Sequence, residues 1–542
     1  MQSAPFFMAG AGGLQRTKEA ANMGLNGSKM LMLLTIAAAV VTATLLAAIA
    51  QTPATRTFPK KPNLAIVARD LTRVNTEIDR TFTQTLSKAA TIPKDQSHRL
   101  ERIRTLGKLL LYDRTLSVER NTACVSCHMP ETGFTGPISE LNKTTVSYPG
   151  SVRNADANPA ISRYSGRKPM SYSYASYSPV LHYNRTQKDF YGGNFWDMRA
   201  SGWKLQNPAS EQAQGPFTDP DEQGLLEEAC VVYLVSKSPY RAFFEEVWGQ
   251  DSFNINWPAD IEQLTRVPGP PPTNNPHPVK LSPQDRTRVS AIYDQIAMSI
   301  AANEAGPDVS PFSSKFDYAL AHPKQKVLTK DELAGWQLYR TKGKCNMCHV
   351  DGTSMIKGQI TPAKATDQAP LFTDFTSANI GVPKNLSIPL LYETTPDRYG
   401  YVANPKGLRY VDTGVADFLD GKKGKNPSAE WATHAANFVG KFQTPTLRNV
   451  DLRPYPGFVK AYSHNGYFKS LKEIVHFYNT RDKFPHCAPG SPGEKVTCWP
   501  PPEVKQNLNM QIGNLGLTDR EENQIVAFLK TLSDGYVPPK LK

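Results

Sequence analysis

The sequence predicts a mainly α-helical chain: two similar halves joined by long loops, behind an N-terminal apolar helix. Three observations carry this. The pattern C-x-x-C-H occurs twice, at Cys124–His128 and Cys345–His349, each time behind a segment of helical periodicity. With 44 prolines, 36 glycines and 39% hydrophobic residues, the 542 residues leave room for long loops around a modest apolar core. Met30 to Ala50 is an uncharged, mostly apolar run. The expected division is therefore 1–55 for the N-terminal segment, 56–325 for the first half and 326–542 for the second. Lys+Arg 62 against Asp+Glu 49 gives +13, which favours acidic partners or anionic surfaces. No basic run is interleaved with aromatics, so no nucleic-acid partner is expected.

The apolar run follows Lys29, with Arg16 and Lys18 upstream, and ends in Ala48-Ile49-Ala50. It reads as an export signal. Its length suits one membrane crossing and its small-residue ending suits cleavage, so membrane anchor and cleaved signal peptide both stay open. The remainder is expected in the periplasm, released or tethered to the inner membrane. Cys487 and Cys498 bracket a Pro/Gly-rich loop at a spacing that suits a disulfide, in keeping with an oxidising compartment. Cys230, in an apolar run, reads as a buried core thiol.

The C-x-x-C-H spacing is dictated by chemistry. Two thiols add to the two vinyl groups at one porphyrin edge, and the adjacent histidine then falls under the iron. With seven cysteines and ten histidines, chance supplies about 0.002 such patterns in this length, so two of them mark two covalently bound c-type haems. A zinc site would pair both C-x-x-C units in one tetrahedron, but each unit carries its own histidine and they lie far apart. Neither unit follows a strand in a βαβ pattern, which sets aside a thioredoxin-like motif. Thr329-Lys330-Asp331-Glu332 is a capping box that opens a helix through Trp336 and Leu338 and delivers Cys345 after the turn at Gly343. Leu100 to Leu111 plays the same part before Cys124, and the Pro-rich stretch Val267 to Pro278 connects the two plans. The fold class is thus two cytochrome c-like haem domains with long loops.

His128 and His349 are the proximal ligands, and function turns on what faces each iron from the other side. After His349 the only methionines are Met355, too close to swing across the porphyrin, and Met510, near the C-terminus. A Met-ligated second haem is therefore disfavoured. Ser470-Leu471-Lys472-Glu473 is a second capping box, after which Leu471, Ile474, Val475 and Tyr478 form one apolar stripe. On periodicity alone Tyr478 is a half-buried core tyrosine, and His476 should face solvent.

Further motifs resemble those of a known family, the bacterial di-haem cytochrome c peroxidases and their MauG-type relatives. Leu106-Gly107-Lys108, Asp113 and Leu116-Ser117 precede the first haem site and Gly133-Phe134-Thr135 follows it, as in that family. Phe195-Trp196-Asp197-Met198-Arg199-Ala200 resembles F-W-D-G-R-A, with Met198 in place of glycine. Glu211-Gln212-Ala213, Gly215-Pro216 and Asp219-Pro220-Asp221-Glu222 resemble E-Q-A, G-P and N-P-x-E. Thr444–Asn449 and His464-Asn465-Gly466 resemble T-P-S-L-R-N and H-D-G.

The resemblance implies roles for single residues. The His128 haem would be the peroxide-reactive one, with Glu222 as distal acid/base and Gln212 as the distal-pocket glutamine. Trp196 would relay electrons between the haems. Tyr478, fourteen residues beyond His464, matches the axial position that is Met in some members and Tyr in the MauG type. No histidine occurs between His128 and His182, so by analogy with MauG-type members the first iron is expected to stay five-coordinate. The implied activity is hydrogen peroxide reduction, with a small redox protein or a protein substrate as electron donor. MauG-like oxidative modification of a partner protein and a non-enzymatic two-haem electron carrier, with His182 closing the first iron, are the alternatives. The family also holds a calcium ion between its haems. The residues around Pro454-Tyr455-Pro456-Gly457 and after Gly166 depart from the pattern where that ion sits. The segment 356–440 is longer than in compact members.

Overall fold

The repeat of helix and attachment motif becomes a repeat of helix crossings. In a computed structural model the described residues are 61–152, 163–356, 359–362, 370–424 and 426–539; the apolar run at 30–50 lies outside them. Helix α1 (Leu64–Ala89) is capped by Asn63, whose side chain accepts from the Ala65 and Ile66 amides, and buries Val67, Val74 and Ile78 on one face. Helix α2 (Arg99–Tyr112) covers the stretch expected before Cys124. Helices α3 (Pro208–Thr218) and α4 (Glu228–Ser236) follow, then the long α5 (Pro283–Glu304), against which α2, α3 and α4 pack. At the α2–α5 crossing the helices approach so closely that a Cβ on Gly107 would stand 1.9 Å from the Ser299 carbonyl oxygen. Only glycine fits there.

The second half uses the same device. After α6 (Lys315–Ala321), α7 (Lys330–Arg340) opens with the Thr329–Glu332 capping box and ends just before Cys345. It crosses the C-terminal helix at Gly335, where a Cβ would lie 1.8 Å from the Gln524 carbonyl oxygen. Between come α8 (Val415–Leu419) and α9 (Leu471–Thr480), and the crossing partner of α7 is α10 (Asp519–Lys530). One apolar cluster surrounds the first attachment motif, from Val67 to Ile300, and a second surrounds the other, from Phe316 to Leu532. The expected boundary at 325/326 falls just after α6, whose Phe316 packs on Phe372 and Phe528 of the second cluster.

Described strands are short and pair two by two; β1 (His182–Asn184) and β2 (Asp189–Tyr191) form an antiparallel hairpin. A third apolar cluster gives the long 356–440 segment a place. Its Val415, Phe418, Leu419, Trp431 and Phe438 pack against Leu181, Phe190 and Met198. Met198 is 0% exposed and sits at φ 60°, left-handed backbone where a side chain is strained by roughly 1–2 kcal/mol. Burial of its thioether against this segment offsets that cost, which explains why a methionine stands where the resembling motif has glycine. Cys487 and Cys498 form a disulfide, and Cys230 is fully buried with its thiol pushed up to about 12 by burial. Among the described residues no helix is long and apolar enough to cross a membrane.

Candidate haem sites

Cys124 to Ser126 form a single 3₁₀ turn that carries Cys124, Cys127 and His128 as one unit. Gly133 and Phe134 both adopt positive φ, and this reversal brings the Phe134 carbonyl to His128 Nδ1 at 3.1 Å. A carbonyl oxygen only accepts, so Nδ1 carries the proton and Nε2 keeps its lone pair. Burial holds the imidazole neutral, with its pKa lowered to about 4. A neutral ring fixed through Nδ1 with Nε2 available is the donor an iron needs, so the residues fit a c-type haem. The Tyr172 ring supports His128 at 5.5 Å and Phe134 at 4.9 Å.

The second motif repeats the arrangement. His349 Nδ1 lies 3.1 Å from the Phe372 carbonyl oxygen, Phe372 again taking positive φ. Tyr339 donates to the His349 carbonyl, and Trp336 Nε1 donates to Asp351 at 2.9 Å, locking α7 to the residues just after the motif. Cys345, Cys348, His349 and Tyr478 line one cavity with an empty volume of about 1960 Å³ including its solvent mouth. Burial raises the Tyr478 phenol above its ordinary pKa, with Cys345 and Cys348 beside it adding to the effect. Among the described residues the Tyr478 hydroxyl has no hydrogen-bond partner, so its oxygen is open to the cavity.

Helix α9 differs in detail from its sequence pattern. Ser470 accepts from the Glu473 amide, but Glu473 reaches back to the Lys469 amide, so the box is shifted by one residue. The helix is also buried on more than one face. Ile474, Val475 and Tyr478 look into the cavity, whereas Phe477 packs on Trp499. His476 is only partly exposed: its Nδ1 meets Glu522 at 2.9 Å, because α10 covers part of that side.

Glu222 sits in a tight turn, Asp219 to Gly224, whose Glu222 and Gly224 amides both donate to the Asp219 carbonyl. The next residue ties the turn to the first haem site. Gln223 donates to the Leu116 carbonyl at 2.8 Å and lies 3.7 Å from Cys124 Sγ. Burial raises the Glu222 pKa, the Asp219 and Asp221 carboxylates add to it, and Arg199 and Lys423 oppose it. Gln212 stands on α3, and its side chain makes no hydrogen bond among the described residues. His182 is exposed on β1, stacked on Tyr191 at 5.9 Å.

Trp196 lines the cavity of the second site together with Gly133 and Thr135, which follow His128. Its Nε1 donates to the Lys168 carbonyl at 3.0 Å and its ring stands edge-on to His464 at 6.5 Å. His464 stacks on Phe442 at 3.5 Å, and burial keeps it neutral, its pKa lowered to about 3. Sequence reasoning missed Arg167. It binds Asp197, next to Trp196, at 2.6 Å and both oxygens of Asp412 at 2.7 Å. The only available signal was the F-W-D aspartate, a buried charge in need of a partner. Beside the stretch whose departure from the family pattern puts a calcium ion in doubt, the carbonyls of Thr132, Asn449 and Leu452 converge on Lys460 Nζ. That cage does not fit a metal ion while the ammonium fills it.

Comparison with known proteins agrees with this geometry. The family model for di-haem cytochrome c peroxidase matches residues 101–268. Methylamine utilization protein MauG of Paracoccus denitrificans is 27% identical over 441 residues, 81% of this chain and 90% of the relative. Cytochrome-c peroxidase IdrP1 of Denitromonas iodatirespirans is 24% identical over 446 residues, 82% of this chain and 84% of the relative. The crystal structure of the diheme peroxidase BthA from Burkholderia thailandensis shares the fold, with a TM-score of 0.57 at 24% identity, covering 82% of this chain and 87% of that one. With its two C-x-x-C-H motifs, each carrying an imidazole oriented through Nδ1, the chain is similar to the oxidoreductases of the di-haem cytochrome c peroxidase and MauG family.

Proposed function

We propose that the chain reduces hydrogen peroxide beside His128, drawing electrons through Trp196 from the site formed by His349 and Tyr478. When bound, the two haems supply the peroxide-binding and electron-transfer chemistry. The observation that carries this reading is the asymmetry of the sites. His349 shares its cavity with the unpartnered Tyr478 hydroxyl, whereas the turn packed beside Cys124 offers the Glu222 carboxyl. Splitting peroxide requires one proton to move from its inner to its outer oxygen, and Glu222 is the group suited to move it. The outer oxygen leaves as water, and two electrons and two further protons convert the rest to a second water. Trp196, held by the Lys168 carbonyl between the sites, is the indole that passes the electrons. The donor is a small redox protein or oxidisable side chains of a partner protein. The Cys487–Cys498 disulfide supports an extracytoplasmic, periplasmic location.

The electron-carrier alternative needs a protein ligand on the first iron, and the exposed position of His182 speaks against it. Optical and EPR spectra of the ferric holoprotein before and after one equivalent of peroxide test the choice. One high-spin and one low-spin haem, both ferric signals lost on peroxide addition, are expected; two low-spin haems indifferent to peroxide would make the chain a carrier. Tyr478→Phe keeps the ring and removes the oxygen donor, so it should alter the low-spin signal and spare the high-spin one. An unaltered low-spin spectrum would remove Tyr478 as a ligand.

A further inference from the structure

A lysine ammonium is rarely buried, because leaving water is costly unless each N–H finds an acceptor. Lys460 is 4% exposed. Its Nζ donates to the backbone carbonyls of Thr132 at 2.9 Å, Asn449 at 3.0 Å and Leu452 at 2.9 Å. Three acceptors need three N–H donors, and only the ammonium has three. A neutral amine has two and would turn its lone pair on the third carbonyl. Burial, then the Lys168 and Arg453 charges, pull the pKa well below the ordinary lysine value and Asp451 works the other way, so the three carbonyl acceptors are what hold the proton. Asp451 is itself paired with Arg453. Carbonyl dipoles, not a carboxylate, therefore balance this charge, which is how neutral oxygen cages hold hard cations.

The cage joins the two halves. Thr132 follows the first attachment motif, while Asn449 and Leu452 border Leu447 and Val450, which pack on the second core. Val459, next to Lys460, is also held by the first half: its amide donates to Ser139 Oγ at 3.1 Å and its carbonyl accepts from Asn142 at 2.9 Å. Gly133 closes one wall; a Cβ there would lie 2.7 Å from the Asn449 oxygen and 3.2 Å from Lys460 Nζ. Lys460 also lines the cavity that holds Trp196 and His349.

We propose that Lys460 is a tethered cation: its ammonium permanently fills a carbonyl cage between the two haem halves and takes the place of a bound divalent ion. The inference stands independently of the peroxidase reading, since it rests on the cage alone. A fixed positive charge beside both sites favours their reduced forms, so it raises both haem potentials.

The test uses the holoprotein. Wild type dialysed against EGTA should keep its Tm and haem spectra and contain no stoichiometric calcium by elemental analysis. Lys460→Ala should lower Tm, with recovery on adding millimolar methylammonium chloride or calcium chloride and none with choline chloride at matched ionic strength. Lys460→Met fills the cage without charge, so both midpoint potentials should fall and methylammonium should not restore them. One equivalent of calcium in wild type, whose removal shifts Tm or spectrum, would overturn the proposal. So would a Lys460→Ala protein with unchanged Tm or with no response to either cation. If Lys460→Ala fails to fold, unchanged potentials in Lys460→Met overturn it.

Discussion

Replacing Glu222 by glutamine is expected to slow the reaction of the holoprotein with hydrogen peroxide by about 10²–10⁴-fold, the usual worth of a positioned acid/base. Both ferric spectra should stay as in wild type. Glutamine keeps the size and the hydrogen-bonding capacity of the side chain but cannot carry the proton. The surroundings of Glu222 favour proton transfer, because burial first, then Asp219 and Asp221, raise its pKa against the pull of Arg199 and Lys423. Its neighbour Asp221 is itself raised to about 7, by burial and by Asp219. Accepting the proton of the inner oxygen requires the carboxylate, so the rate should climb with pH through the Glu222 pKa. Asp221→Asn removes one raising charge and should shift that climb to lower pH. Stopped-flow mixing across pH measures both effects. A Glu222→Gln rate equal to wild type would return Glu222 to a purely structural role in its turn.

What the sequence disclosed and what it hid follow from the range of the interactions. The attachment motifs, the Thr329–Glu332 box and the Cys487–Cys498 pair are local chemistry, written within a few residues or one loop. The helix crossings were half legible. Gly107 and Gly335 stood in plain view inside helical patterns, yet nothing local says that Ser299 and Gln524 press against them. That Tyr478 shares a cavity with His349 was suggested only by the resemblance, because periodicity makes any inward tyrosine look like core. Met198 appeared as an unexplained departure. Its partners, Val415, Phe418 and Trp431, lie more than two hundred residues away, in a segment with no recognisable pattern. The Lys460 cage was hidden for a similar reason, since its acceptors are backbone carbonyls that any sequence supplies.

Arg167→Met should destabilise the holoprotein by about 3–5 kcal/mol, the cost of stranding buried carboxylates without their partner. Arg167 grips both oxygens of Asp412 and one of Asp197, all three residues being buried. Asp197 retains Arg199 at 2.9 Å in the variant, whereas Asp412 keeps only the Gly414 amide at 3.1 Å and the weaker pull of His464 and Lys423, so it is the group left short of a partner. Burial alone would raise both carboxyls; the Arg167 charge outweighs it and holds each well below the usual carboxylate range. A depressed folded pKa contributes stability above the unfolded value of about 3.9 and loses it as pH falls through the folded value. The variant lacks that contribution, and its Asp412 can take a proton in acid. The Tm gap between wild type and variant should therefore be widest near neutral pH and close below about pH 4. Adding Asp412→Asn to Arg167→Met should recover part of the loss, because the stranded charge is then gone. A gap independent of pH would mean that Arg167 acts by packing, over the Phe442 ring for instance, rather than by charge. The same residue connects stability to function: it links the 356–440 segment through Asp412 to the aspartate beside Trp196, while the following Lys168 carbonyl holds the indole. If Trp196 passes electrons as proposed, the segment that looked like an insertion without a purpose is the back wall that would fix that path between the two sites.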